Sequence, residues 1–268
     1  MLCFPRSTYY AALKLVPSIR QQEGMLLDEA IRSVYHESKK RYGAPKIQKA
    51  LKSKGIKASL KRVQRHMASM GLKSIVVKKY HPHSSKGNVE ERENLLNRNF
   101  STSGINQKWC TDITYIHTAN DGWTYLASVM DLHSKKIIGY AYARNMTTKL
   151  AVNAIENACL NIKDTIGIVL HSDLGTQYTS KLFEDCLLSK KILHSYSRKG
   201  NPYDNACIES FHSVLKKEEV HRNNYYDFKD ASKAIFEYIE SWYNRKRIHS
   251  SLNYLTPQAV EDASKAVA

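Results

Sequence analysis

Apolar residues recur along this chain with two different periods, and the change of period divides it. Over 28–40, Ile31, Val34 and Tyr35 fall on one helical face, with acid at the start and base at the end as the helix dipole favours. Tyr42-Gly-Ala-Pro45 breaks that pattern, and a second helix is expected over 45–53, packing through Ile47 and Leu51 and stopping at Gly55. Ser59 reads as the N-cap of a third helix over 60–70, closed by Gly71. Its buried stripe is Val63, Met67 and Met70, which leaves Lys61, Arg62, Arg65 and His66 facing outward. Three short helices, the last one basic, match a helix-turn-helix module whose final helix enters a major groove. A plain three-helix bundle with a solvated basic face satisfies the same pattern.

From about residue 105 the period shortens to two. Strands are expected over 109–116, 123–129 and 137–143, the first two joined by the turn Ala119-Asn-Asp-Gly122. An amphipathic helix follows over 147–160, then a buried strand over 166–170, a helix over 180–189 and a short strand over 192–195. A polar loop over 197–204 leads into a helix over 205–220. The order β-β-β-α-β-α-β-α specifies an α/β fold with a mixed sheet flanked by helices. A last helix over 228–243 runs into Arg245-Lys-Arg-Ile-His249. Four segments result: a helical module over 1–72, a basic linker over 73–104, a core over 105–222 and a C-terminal helical segment with a basic tail over 223–268.

Charge sharpens the division. The net charge is +16, but residues 1–100 hold 21 Lys and Arg against 7 Asp and Glu, and residues 101–268 hold 20 against 18. A basic front half joined to a near-neutral back half suggests a polyanion-binding module attached to something else. The five cysteines (3, 110, 159, 186 and 207) include no C-x-x-C pair, which argues against disulfides and a zinc site. His81-Pro-His83 has no cysteine pair at ligand spacing and reads as part of the solvated linker. The longest apolar runs are far too short to span a bilayer, and the first residues lack the features of a signal peptide, so a cytoplasmic, non-membrane protein is expected.

The chemistry is carried by carboxylates. Asp112 lies inside the first strand of the core, Asp173 just past the end of the strand over 166–170, and Glu209 in the first turns of the helix over 205–220. On that helix Glu209, His212/Ser213 and Lys216 share one face, while Ile208, Phe211 and Leu215 form an apolar one. The helix therefore buries one side on the sheet and points Glu209 at the two aspartates. Two unit charges about 4 Å apart repel by roughly 4 kcal/mol at an effective dielectric near 20. Converging carboxylates thus call for cations, and hard oxygen ligands suit Mg²⁺ or Mn²⁺. Two such ions activate an attacking hydroxyl and stabilise the leaving oxygen in phosphodiester chemistry. Asp121, Asp164 and Asp204 stand instead at turns or caps, and Asp131, at a strand end, reads as supporting or structural.

The runs Trp109-Cys-Thr-Asp-Ile-Thr-Tyr115, His171-Ser-Asp-Leu-Gly-Thr-Gln-Tyr178 and Asn201-Pro-Tyr-Asp-Asn-Ala-Cys-Ile-Glu-Ser-Phe211 resemble the three acidic motifs of the D-D-E integrase/transposase superfamily. The 35 residues between Asp173 and Glu209, and Lys216 seven positions after the glutamate, match that family's pattern. Nearly the whole chain resembles the second reading-frame product of bacterial insertion sequences of the insertion-sequence-three type. Tyr42-Gly-Ala-Pro-Lys-Ile47 is similar to that group's helix-turn-helix segment, and Trp242-Tyr-Asn-Arg-Lys-Arg-Ile-His-Ser-Ser-Leu252 with Leu255-Thr-Pro257 to its C-terminal signature.

The resemblance implies a ribonuclease-H-like core with Asp112, Asp173 and Glu209 as catalytic residues and ligands of two Mg²⁺ ions. It implies nicking at element ends and transfer of the freed 3′-hydroxyl, without a covalent protein–DNA intermediate. The implied partners are double-stranded DNA, further copies of the chain assembled on it, and an upstream-frame product fused by frameshifting; the implied location is the bacterial nucleoid. Arg6-Ser-Thr-Tyr-Tyr10 resembles the start of the second frame, and no sustained heptad run supplies a coiled coil. Lys61, Arg62 and Arg65 are the candidate DNA contacts of the front module, Lys216 of the core and Arg245 and Arg247 of the tail. A DNA-binding regulator with an inactive core and a ribonuclease-H-like nuclease acting on RNA hybrids are the competing readings.

Overall fold

The computed structural model describes residues 17–75, 93–160, 162–198 and 202–267, together with Ser7 and Tyr10. The readings placed on Arg6 to Tyr10, His81 to His83 and Lys199 to Asn201 fall wholly or partly outside these residues. The chain divides into two compact units, Met1–Ile75 and Val76–Ala268.

The first unit holds α1 (Ile19–Glu37), α2 (Ala44–Ser53) and α3 (Leu60–Ser69). Helix α1 starts nine residues before the expected position. Ser18 accepts the amide of Gln21, whose side chain in turn accepts the amide of Ser18, a capping box that the apolar period does not register. The other boundaries follow their sequence signals. Pro45 stands in the first turn of α2, and Ser59 accepts the amide of Arg62 to cap α3. Gly55 and Gly71, at φ of 81° and 67°, close α2 and α3 through Ile56 N–H to Leu51 and Leu72 N–H to Met67. Leu27, Ile31, Val34, Ile47, Leu51, Val63 and Met67 are buried. Met70 is only half-buried, and His66 turns inward to pair with Asp28 at 2.7 Å.

The second unit is built on five strands, β1 (Lys108–Thr118), β2 (Gly122–Asp131), β3 (Ile137–Ala143), β4 (Val169–Ser172) and β5 (Leu193–Tyr196), in the order β3-β2-β1-β4-β5. The first three pair antiparallel, while β4 runs parallel to β1 and β5 parallel to β4. Helix α4 (Thr148–Cys159) and helix α5 (Lys181–Ser189) cover one face through a core that includes Trp109, Val129, Ile155, Leu170, Phe183 and Leu187. The contact is closest at Gly139 on β3. A Cβ there would lie 2.4 Å from the amide nitrogen of Ala158 and 2.5 Å from the carbonyl oxygen of Ala154.

Helix α6 (Ala206–Glu218) packs on β1 and β2. The tail continues as α7 (Phe228–Phe236), a π-helical stretch (Glu237–Tyr243) and α8 (Pro257–Val267). The segment 223–268 thus belongs to the same unit as the core. Asn244 pairs its side-chain amide with both backbone groups of Ile137 at 3.0 Å, on the edge strand of the sheet.

The linker expected over 73–104 is narrower at both ends. Tyr35 OH donates to the Lys73 carbonyl at 2.7 Å and Ser74 Oγ to that of Arg41 at 2.9 Å, which ties the first residues to the helical unit. At the other end Tyr196 N–H donates to the Glu93 carbonyl, Leu96 N–H to Ser195 Oγ, and Arg98 pairs with Asp204 at 2.9 Å. Only the single apolar side chain of Leu96 is fully buried there, so no period marks the segment.

Candidate active site

Strand register brings the two aspartates together. In the parallel pair, Cys110 of β1 stands opposite His171 of β4, so Asp112 and Asp173 each lie two residues beyond matched positions on strands about 4.8 Å apart. Across the antiparallel pair, Asp112 faces Ser128 of β2. His212 of α6 fits between these two, with Nδ1 3.3 Å from an Asp112 oxygen and Nε2 3.4 Å from Ser128 Oγ. Glu209 sits one turn earlier on the same helix, in its first turn, where the helix dipole favours a negative charge.

The electrostatics show that the three carboxylates share one environment. The Asp173 side chain opens to solvent, but the protein around its carboxyl, and then the charge of Asp112, raise its pKa to about 6. Glu209 is pushed up as well, by burial first and then by Asp112 and Asp173. The charge of Asp112 thus acts on both of the other carboxyls, and that of Asp173 on Glu209. Among the described residues, no three His, Cys, Asp or Glu side chains already stand in ligand geometry.

Several residues that sequence reasoning passed over hold these groups. Gly175 N–H donates to Asp173 Oδ1 at 2.9 Å, and a Cβ on Gly175 would meet that same oxygen at 2.9 Å. His171 is buried between Ser195 and Ser197, each within 3.0 Å of a ring nitrogen, and burial lowers its pKa to about 4. Tyr178, fully buried, meets Thr111 of β1 at 3.3 Å. Asp204 does more than cap a turn. Its buried carboxylate takes Arg98, Arg198, Asn94 and the Arg198 amide, and binds the 93–98 segment to the loop before α6. Burial acts to raise the Asp204 pKa, but the hydrogen bonds from Arg198 and Arg98 and the charge of Arg198 hold it well below the carboxylate range. Asp131 accepts four hydrogen bonds from Asn106, His133 and Ser134, a structural role.

The basic candidates separate. Lys61 and Arg65 are exposed on α3 and Arg62 is half-buried beside them. Arg245 is exposed. Arg247 is not available to DNA: it is buried, and its guanidinium meets Glu218 at 3.0 Å. Tyr238 OH and Trp242 Nε1 donate to the same carboxylate at 3.1 and 3.0 Å. A positive residue in a run of positive residues looks solvated in sequence, and its partner lies 29 residues away. The cluster fastens the tail to the C-terminal end of α6, the helix that carries Glu209. Lys216, half-buried, sets its Nζ 4.0 Å from the centre of the Tyr115 ring. Burial lowers its pKa, while Asp112 pulls the other way.

A mixed five-stranded sheet with helices packed on it, an aspartate inside β1, another just past the end of the neighbouring parallel strand β4 and a glutamate on the adjoining helix have the form of an integrase core. Models described as "Integrase core domain" match residues 103–202 and 190–257, and one described as "HTH-like domain" matches residues 20–80. The transposase for insertion sequence element IS904 of Lactococcus lactis subsp. lactis (strain IL1403) is 40% identical over 246 residues, covering 91% of this chain and 97% of that protein. Transposase InsF for insertion sequence IS3A of Escherichia coli (strain K12) is 37% identical over 250 residues, covering 93% of this chain and 86% of that protein. The chain belongs to the transposase family of IS3-type insertion sequences. Among solved structures, the integrase catalytic core domain of HTLV-2 in complex with magnesium is 16% identical with a TM-score of 0.45, covering 60% of this chain and 99% of that one. No helix among the described residues is long and apolar enough to cross a membrane.

Proposed function

We propose that this protein nicks DNA at the ends of an insertion sequence and transfers the freed 3′-hydroxyl to a target phosphodiester, with Asp112, Asp173 and Glu209 as the catalytic carboxylates. The observation that carries this reading is the register of β1 on β4, which sets both aspartates two residues beyond paired positions on adjacent inner strands of the sheet, with Glu209 within reach of their charge. Hard carboxylate oxygens gathered within reach of one another's charge fit two Mg²⁺ ions, with Mn²⁺ as a substitute. When bound, such ions supply charge stabilisation at the attacking and leaving oxygens of an in-line displacement.

The chain's own residues supply position. His212 steadies Asp112 against Ser128, and the Gly175 amide holds one oxygen of Asp173. Lys216, about 10 Å along the helix from Glu209 at roughly 1.5 Å rise per residue, places a cation where a phosphate next to the scissile bond would lie. In the nicking step water forms a bond to phosphorus and the 3′-oxygen departs with a proton. In the joining step that 3′-hydroxyl loses its proton, bonds to the target phosphorus, and the target's own 3′-oxygen leaves. Neither step needs a covalent enzyme intermediate.

Lys61, Arg62 and Arg65 of α3 serve as DNA contacts of the front module, and Arg245 as one in the tail. Assembly of several copies on DNA, and fusion to an upstream-frame product for end-specific transposition, complete the proposal. The test is Mg²⁺-dependent cleavage and joining of oligonucleotides that carry the element's ends. Joined products support the reading, end binding without turnover supports a regulator, and cleavage confined to RNA–DNA hybrids supports a ribonuclease.

A further inference from the structure

Beside the carboxylates, the sheet carries aromatic side chains that the reaction does not use. Tyr115 and Trp123 are 52% and 55% exposed, against the general rule that large aromatics in a sheet are covered. Their rings meet edge to face, with centroids 5.1 Å apart and planes at 84°. His117, the direct cross-strand partner of Trp123, meets the same indole at 4.9 Å. Lys216 covers Tyr115 from the helix that packs on Asp112. Tyr115 lies three residues beyond Asp112 on one strand, about 10 Å at the usual rise of 3.3 Å per residue. The odd offset turns its ring to the other face of the pleat, so Lys216, on the helix that packs on Asp112, is the side chain that links the ring to the carboxylate side. Strand β4 pairs with β1 only over Lys108–Cys110, so among the described residues no strand flanks Tyr115 on that side.

We propose that Tyr115, Trp123 and His117, together with Lys216, form a stacking platform for an unpaired base of the DNA strand entering the active site. The inference rests on the DNA-processing function proposed above. The rings of Tyr115 and Trp123 stand at 84° to one another and each residue is more than half exposed, so aromatic surface on both is left to solvent for a planar group to meet. An aromatic surface alone would also suit a second copy of the chain. The ammonium at its border, carried on the same helix as Glu209, favours an anionic strand that passes from the carboxylates to the rings. Base–aromatic stacking of this kind tolerates any sequence, because every base has a π-face.

The test uses the full chain in EDTA, so that no turnover is required, with a blunt duplex and the same duplex carrying a short single-stranded overhang. Of the three tryptophans, Trp109 and Trp242 are buried, so iodide-accessible emission reports Trp123. Overhang DNA should quench that emission and shield it from iodide, and blunt DNA should not. Trp123→Ala should weaken overhang binding about 5- to 150-fold, the equivalent of about 1–3 kcal/mol per stacked base. Blunt binding should be unchanged, and Trp123→Phe should restore most of the loss. Equal binding of both DNAs by wild type and variant would overturn the platform while leaving the DNA-processing function intact. Failure to bind either DNA would overturn both. A concentration-dependent dimer in sedimentation that Trp123→Ala abolishes would assign the patch to a second copy and overturn the proposal.

Discussion

Replacing Arg247 with methionine separates two roles that the sequence does not distinguish. The substitution keeps most of the side-chain length and removes the guanidinium that meets Glu218 at 3.0 Å, in a site where the two side chains are 11% and 5% exposed. Tyr238 and Trp242 still donate to the carboxylate, but no positive charge remains beside it. Breaking a buried pair by removing one partner costs about 3–5 kcal/mol, because the other charge stays desolvated. In a unit of this size each kcal/mol lowers Tm by about 2–4 °C, so a drop on the order of 6–20 °C is expected. Thermal unfolding by circular dichroism measures it. Glu218→Gln combined with Arg247→Met should recover part of the loss, since the neutral amide no longer needs the cation. DNA affinity at a temperature where both proteins are folded should change little. A variant with unchanged Tm but a weaker, less salt-dependent DNA complex would show that Arg247 binds a phosphate and that the buried cluster is misread.

Three further outcomes follow from the geometry. Gly139→Ala drives a methyl group into the backbone of α4 and should destabilise the core by at least about 1–3 kcal/mol in urea denaturation; a neutral result would mean that α4 can retreat without cost. The Asp204 carboxyl has its pKa depressed in the fold, so its stabilisation is present above the unfolded value of about 3.9 and is lost as pH falls below it. The stability gap between wild type and Asp204→Asn should therefore be widest near neutrality and shrink in acid, and a gap independent of pH would contradict the ion cluster. Changing Lys61, Arg62 and Arg65 together to alanine should flatten the dependence of log affinity on log salt by about 0.9 for each phosphate these side chains neutralise, and an unaltered slope would reduce α3 to a solvated face.

What the sequence disclosed, and what it hid, follows from the range of each interaction. Boundaries set by local chemistry were readable: Ser59 and Gly71 around α3, and Gly55 after α2. The start of α1 was not, because its first turns bury almost nothing and its capping box at Ser18 and Gln21 stands outside any apolar period. The strand over 166–170 starts later, at Val169, since Gly167 turns with positive φ and Ile166 is exposed.

The three carboxylates could be singled out because each stands at an element where the fold can aim it. Their supports could not. His212 was visible only as a neighbour of Glu209 on one helix face, and its bonds to Asp112 and Ser128 span 100 and 84 residues. Arg98 and Asp204 are 106 residues apart, and each alone resembles a solvated charge. Long-range pairs of polar side chains leave no period in a single sequence, whereas backbone caps and apolar stripes do.

The most direct test of the carboxylate site takes Asp112→Asn, Asp173→Asn and Glu209→Gln one at a time, each removing a charge at nearly constant volume. Mg²⁺-dependent joining of end-containing oligonucleotides is measured alongside DNA affinity. Loss of joining in all three variants, with affinity close to that of the wild type, is the expected result. Near-normal joining under Mg²⁺ by any one of them would contradict a site built on Asp112, Asp173 and Glu209 together.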